Sequence, residues 1–349
     1  MTQLAESNQS ASKASGRLKV AVVGCGYWGP NLVRNFSESP ATDVAMACDL
    51  DQARLAAIGE RHPEIPLTTD YDAVLRDGGI DAIVVATPAA THYPIVRKAL
   101  EAGKHVWVEK PLTLDYAEAA WLANEAARRN LALMVDHIFM YTPALRYMRD
   151  SVAKGELGRP LYLDSVRVKR GGALPQDVDV VWDMGVHDIY MIDELLPGKP
   201  VSVSAVGAEH AGAGVSLAHV TIRMSEGAIG HFYVNWVSPA KIRLTTLCGS
   251  ERTLVFDDNL PSKKVRVYEG GLVDGNGARP DVAYESEEGF APALPDGEPL
   301  QTAVRHFADC IANGTSPLTD GEAGARVVAL ALAAEKSLND GGREQEVSM

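Results

Sequence analysis

The chain has 349 residues, enough for two domains, and 46% of them are hydrophobic, as in an ordinary globular protein. A formal charge of −13 argues against nucleic acid or an anionic membrane surface as the main partner. The four cysteines, Cys25, Cys48, Cys248 and Cys310, have neither CxxC nor metal-ligand spacing, so reduced thiols, no metal and a cytoplasmic location are expected.

Residues 1–16 are rich in Ser, Ala, Gln and Lys and lack the apolar run of a signal peptide, which predicts a disordered leader. No run of eighteen apolar residues occurs, so no membrane span is expected. Residues 18–23 read as a strand that passes into Gly24-Cys25-Gly26-Tyr27-Trp28-Gly29 and a helical pattern at 31–38. This is G-x-G-x-x-G between a strand and a helix. The glycines permit a tight turn and close backbone approach to a pyrophosphate, whose charge sits at the helix N-terminus. A second strand, 44–48, ends in Asp49, twenty residues after Gly29. A carboxylate there can accept hydrogen bonds from the adenosine ribose hydroxyls and repels a 2′-phosphate, which favours NAD over NADP. Asp51 suits the N-cap of a helix at 52–60, leaving Asp49 free.

A short helix at 71–75 and a strand from Ile80 lead to the loop Thr87-Pro88-Ala89-Ala90-Thr91-His92, expected to pass over the cofactor. After a helix at 93–102, the strand 104–109 ends in Glu109-Lys110-Pro111, which delivers Lys110 to the carboxyl edge of a parallel sheet, where ligands bind. Pro111 fixes its own φ and biases Lys110 towards extended backbone, so the side chain is expected on a stiff turn that could include a cis peptide. The plainer alternative is a surface lysine before a helix. A helix at 116–130 and a strand at 132–137 continue the alternation; five strands are placed, and the pattern is read as a six-stranded, doubly wound unit over 17–140.

A linking helix is predicted at 141–154, and then strands follow strands at 161–169, 201–208, 216–224, 228–236, 241–247, 253–256 and 265–268. The whole is an α/β protein, with a Rossmann unit followed by an α+β domain over 141–349 built on a large, open, mostly antiparallel sheet. Residues 270–299, rich in Gly, Pro and acids, read as a loop or partner-contacting excursion, and helices are predicted at 299–312 and 321–337. Strands such as 231–236 carry apolar and aromatic residues on both faces, so another subunit is expected to cover the open face. One helix, 183–196, interrupts the strands, and in Trp182-Asp183-Met184-Gly185-Val186-His187-Asp188 it places Asp183 and His187 four apart on one face. Such a pair can orient a hydroxyl and take its proton; the alternative is an exposed structural ion pair. Arg167, Lys169 and Arg170 cluster at a strand end, with Arg167 and Lys169 on one face. They would suit a diphosphate or a uronate carboxylate, or form a solvated basic edge.

The G-C-G-Y-W-G turn, T-P-x-x-x-H at 87–92, V-E-K-P at 108–111 and W-D-x-x-x-H-D at 182–188, in this order, resemble the Gfo/Idh/MocA family of sugar and inositol oxidoreductases, from residue 18 to the C-terminal helices. The resemblance implies that Lys110, Asp183 and His187 meet over the nicotinamide as catalytic residues. It implies a cofactor site of Gly24, Gly26, Tyr27, Trp28, Gly29, Asp49, Thr87, Pro88, His92, Glu109 and Lys110. Lys110, Arg167, Lys169, Asp183 and His187 are the expected substrate contacts. Residues 141–144, 177–183 and 235–250 resemble the nucleotide-sugar 3-dehydrogenases, which act on UDP-N-acetylglucosamine or its uronic acid; the chain departs from them at 167–173. The expectation is reversible hydride transfer between NAD and C3 of such a sugar, in a homodimer or homotetramer. An inositol or free-sugar dehydrogenase is the alternative among enzymes. A non-catalytic NAD sensor is the alternative outside them, although a sensor has no need of Lys110 and the Asp/His pair.

Overall fold

The structure, a computed structural model, describes residues 16–170, 178–210, 212, 214–273 and 281–349. The expected leader, apart from residue 16, residue 177 of the subgroup resemblance and residues 171–173 of the departure from it lie outside the described residues.

The first unit runs β1 (Leu18–Val23), α1 (Gly29–Glu38), β2 (Thr42–Cys48), α2 (Gln52–Arg61), β3 (Leu67–Thr68), α3 (Tyr71–Arg76), β4 (Ala82–Val85), α4 (His92–Glu101), β5 (His105–Val108), α5 (Tyr116–Arg129) and β6 (Leu133–Val135). Its six strands form one parallel sheet in the order β3-β2-β1-β4-β5-β6. The strands are near-continuous runs of Val, Ile and Ala because helices cover both faces. Helix starts follow side-chain caps: Asp51 accepts from the amides of Ala53 and Arg54, and Asp115 from that of Glu118.

The second unit runs α6 (Pro143–Ala153), β7 (Pro160–Arg170), a π turn (Val181–Gly185), α7 (Val186–Leu195), β8 (Pro200–Ala208), β9 (Leu217–Met224), β10 (Ile229–Ser238), β11 (Ile242–Gly249), β12 (Arg252–Asp257), β13 (Val265–Val273), β14 (Asp281–Tyr284), α8 (Pro299–Asn313), α9 (Gly321–Asn339) and β15 (Gln345–Glu346). Nine strands form a sheet in the order β14-β13-β12-β11-β7-β10-β9-β8-β15, with β7 and β10 parallel and the other pairs antiparallel. Three edge strands escaped the sequence reading. β14 lies within 270–299, which is therefore not all loop, and β3 and β15, of two residues each, are too short to show a period. The C-terminal helices return to the nucleotide unit: α8 packs on α1, and α9 lies between α5 and β8. No helix among the described residues is long and apolar enough to cross a membrane.

Candidate active site

At the carboxyl end of β1 the chain turns through Gly24, which has φ of 96°; a side chain there would meet the Ala86 carbonyl oxygen at 2.5 Å. A side chain on Gly29 would meet the Gly24 carbonyl oxygen at 2.1 Å, so both glycines are required by the turn itself. Gly26 differs: an added Cβ would approach only the tip of Arg54, at 3.5 Å, which leaves its open side for a ligand. The α1 N-terminus has no side-chain cap and no acid in its first turn, the condition in which it attracts a phosphate. Asp49, buried at the end of β2, accepts from the Cys25 amide at 2.6 Å and the Asp51 amide at 2.8 Å, bracing the turn from below. Tyr27 is almost fully exposed at its rim. These features fit a dinucleotide.

Thr87 and Pro88 leave β4, and Glu109 and Lys110 leave β5, on the same edge as the glycine turn. The Lys110–Pro111 peptide is cis. The Lys110 ammonium donates to the Asp183 carbonyl at 2.5 Å and its carboxylate at 3.1 Å, while Trp236 Nε1 donates to the other carboxylate oxygen at 3.2 Å. Asp183 is thus clamped between the two units. It sits in the π turn, whose amides at Val181 and Trp182 are capped by Asp179, so it is not the start of a regular helix as the spacing suggested. His187 follows in the first turn of α7 with its ring edge on Phe139, centroids 4.7 Å apart. Its Nδ1 is buried without a partner. Burial first, then the charges of Lys110, Arg167 and Arg243, hold its pKa well below the usual imidazole value, so the ring is neutral.

Lys110, Asp183 and His187 are therefore brought together. Two expected ligands are not where the sequence suggested. His92 is buried, and its ring nitrogens lie 2.7 Å from the Pro111 carbonyl and 2.9 Å from that of Thr87; it ties the two loops together from behind instead of facing a cofactor. Arg167 does share a face with Lys169, but that face is the inner one. Its guanidinium is buried, donating to both Asp188 oxygens at 2.8 and 3.1 Å, and stacks 4.3 Å from the Phe139 ring centre. Its charge is neutralised within the protein. Lys169 is half-buried beyond it, and the side chain of Arg170 lies outside the described residues. The sequence reading missed Trp236, Asp188 and Arg243 as site residues. It also missed His137, which is stacked on Tyr190 at 4.5 Å, has both nitrogens unpartnered, and is pushed down to about 3 by burial and then by Lys110. Only the final Asp of W-D-x-x-x-H-D signalled any of these.

A doubly wound sheet with a dinucleotide turn, faced by a second sheet that brings a carboxylate and an imidazole to a lysine on its edge, defines a two-part NAD-dependent oxidoreductase. Comparison with known proteins agrees. The model described as the oxidoreductase family, NAD-binding Rossmann fold (GFO_IDH_MocA), matches residues 18–137, and the GFO/IDH/MocA C-terminal domain matches 145–255. The chain belongs to the Gfo/Idh/MocA family, whose named relatives include dehydrogenases acting on CH–OH groups. UDP-N-acetylglucosamine 3-dehydrogenase of Acidithiobacillus ferrooxidans is 29% identical, over 90% of this chain and 95% of its own. Its solved structure, GnnA, superposes with a TM-score of 0.79, covering 94% of this chain and 99% of that one at 25% identity. The scyllo-inositol 2-dehydrogenase (NAD(+)) of Bacillus subtilis is 25% identical over 93% of this chain and 95% of its own. GenD2 from gentamicin A biosynthesis, solved with NAD, has a TM-score of 0.79 at 25% identity, with both chains fully covered.

Proposed function

We propose that this chain reversibly oxidises a secondary alcohol of a sugar, at C3 of a UDP-N-acetylhexosamine or its uronic acid, with NAD. The observation that carries the reading is the meeting of Lys110, Asp183 and neutral His187 at the carboxyl edge of the nucleotide sheet. Bound along the glycine turn, NAD supplies the hydride acceptor. His187 takes the hydroxyl proton, which must leave for the carbon to give up a hydride. The Lys110 ammonium holds the developing alkoxide, and Asp183, fixed by Trp236, aims the ammonium and orients the hydroxyl. Mixing the protein with NAD and UDP-N-acetylglucosamine, its uronic acid, UDP-glucose or myo-inositol should produce reduced-nicotinamide absorbance with a UDP-N-acetylhexosamine. Turnover of myo-inositol alone would favour the cyclitol reading that the scyllo-inositol relative supports. Silence with every sugar, alongside measurable NAD binding, would favour a sensor.

Lys169 and Arg243 are the proposed anchor for a diphosphate; Arg243 is part-buried, bonded to Asp258 at 3.3 Å and 5.5 Å from the Phe139 ring centre. Lys169→Ala and Arg243→Ala should raise KM for the nucleotide sugar roughly tenfold with a smaller effect on kcat, because anchoring acts on ground and transition states alike. Unchanged KM in both would rule out this anchor.

The chain is also proposed to form a homodimer or homotetramer through its open sheet. Register aligns Val206, His219, Tyr233, Val166 and Leu244 in one row across β8, β9, β10, β7 and β11. Exposed Tyr162, Ile229 and Ile242 lie on the same face, and His219 stacks on Tyr233 at 4.3 Å. So broad an apolar face calls for cover. Light scattering at micromolar concentration should give at least a dimer mass; a monomer would contradict it.

A further inference from the structure

Four polar side chains that the proposed chemistry leaves unused meet beneath Lys110. β5 and β6 are parallel and in register, with Trp107 opposite Met134 and Val108 opposite Val135. The next pair, Glu109 and Asp136, therefore leaves the sheet side by side, on the face that carries Trp107. The ladder continues to this level, since the Asp136 amide donates to the Val108 carbonyl at 2.8 Å. That face lies under α1, where Trp107 packs edge-on against Phe36, centroids 5.4 Å apart. Trp28, the N-cap of α1 and the residue before the last glycine of the dinucleotide turn, completes the group. Glu109 and the indoles of Trp28 and Trp107 all face the Asp136 carboxyl. Yet Trp28 Nε1, Trp107 Nε1, Glu109 Oε1 and both Asp136 oxygens are buried and close no hydrogen bond. Two orphan N–H donors thus stand opposite an orphan carboxyl, a complementary set that a small adjustment would join.

Two carboxylates placed together away from water cannot both ionise cheaply, and one proton converts their repulsion into a hydrogen bond. Burial drives Glu109 well above the usual carboxylate range and Asp136 up to about 6, with Glu109 raised further by the Asp136 charge. The other titratable groups facing the pair are Lys110, from the end of β5, and Tyr141, which stays neutral. We propose that Asp136 is a positioning residue of the NAD site: it shares one proton with Glu109, accepts the indole N–H groups of Trp28 and Trp107, and so locks the pyrophosphate turn to the strand end that carries Lys110. The inference rests on NAD binding and is independent of which sugar is oxidised.

The sign of its pH dependence follows from linkage. A carboxyl whose pKa is raised on folding favours the fold at low pH, and that contribution is lost as pH rises through the folded value. In the cofactor-free protein, the melting temperature of Asp136→Asn minus that of wild type should therefore grow from pH 5 to pH 8. Asp136→Asn keeps an acceptor for an indole and a donor for Glu109, whereas Asp136→Leu keeps neither. By NADH fluorescence titration, Asp136→Asn should bind within about threefold of wild type and Asp136→Leu at least about tenfold more weakly. Trp28→Phe should weaken NADH binding in wild type and have no further effect in the Asp136→Leu background. Parallel melting profiles for wild type and Asp136→Asn would remove the shared proton. Additive effects of Trp28→Phe and Asp136→Leu, or wild-type NADH affinity in folded Asp136→Leu, would overturn the locking role. If Asp136→Leu does not fold, Trp28→Phe decides the locking role: wild-type NADH affinity in that variant would overturn it.

Discussion

Lys110→Ala and His187→Ala should each lower kcat by at least about a hundredfold while NADH binding stays close to wild type. The ammonium is proposed to stabilise charge that exists only as the alkoxide forms, so its loss falls on the transition state and not on cofactor affinity. In Lys110→Ala the Asp183 carboxylate also loses the donor that links the two units and keeps, among the described residues, the Trp236 indole. His187→Ala removes a proton acceptor, and no other imidazole takes its place: His137 is buried against Tyr190 and His92 is held by two carbonyls. Stopped-flow measurement of the first turnover checks this directly, because a chemical-step defect slows the burst as well as the steady state. Near-wild-type turnover in either variant would remove that residue from the mechanism.

Arg167→Ala should destabilise the protein by about 3–5 kcal/mol, as breaking a buried ion pair at one partner does. The Asp188 side chain is 0% exposed and that of Arg167 7%, so truncation would leave a carboxylate with the Ser165 hydroxyl, at 2.6 Å, as its hydrogen-bond donor among the described residues. Replacing both partners should cost much less than the sum of the single changes, since no buried charge is then left unpaired. Urea denaturation of the two single variants and the double variant measures this coupling. A stable Arg167→Ala with a tenfold higher KM would return Arg167 to substrate binding and displace Arg243 from that role.

The elements proposed to carry chemistry were legible because each is a local pattern whose spacing has a direct mechanical meaning. G-x-G-x-x-G between a strand and a helix, Asp49 at the next strand end, Glu109-Lys110-Pro111 and the Asp183/His187 pair needed only chain order to be found. Both sheets were also legible, since a buried parallel strand reads as an apolar run and a half-exposed one as alternation. What lay outside reach was the choice of partner across space. Alternation put Arg167 and Lys169 on one face correctly, but whether that face met solvent, substrate or Asp188 depended on where α7 docks, 21 residues further on. His92 sits in a cofactor-like motif, yet its ring is consumed by carbonyls that the fold alone brings within reach.

The sequence by itself therefore determined the doubly wound unit, its glycine turn, and the residues proposed to move a proton, all encoded by neighbours along the chain. Only the tertiary structure decided that Trp236 clamps Asp183, that Arg167 is spent on Asp188, and that Glu109 and Asp136 share a buried face with Trp28 and Trp107. Those pairings join segments separated by 21 to 108 positions. The free energy of a buried charge or N–H group depends on which group answers it, and nothing in local spacing specifies that group.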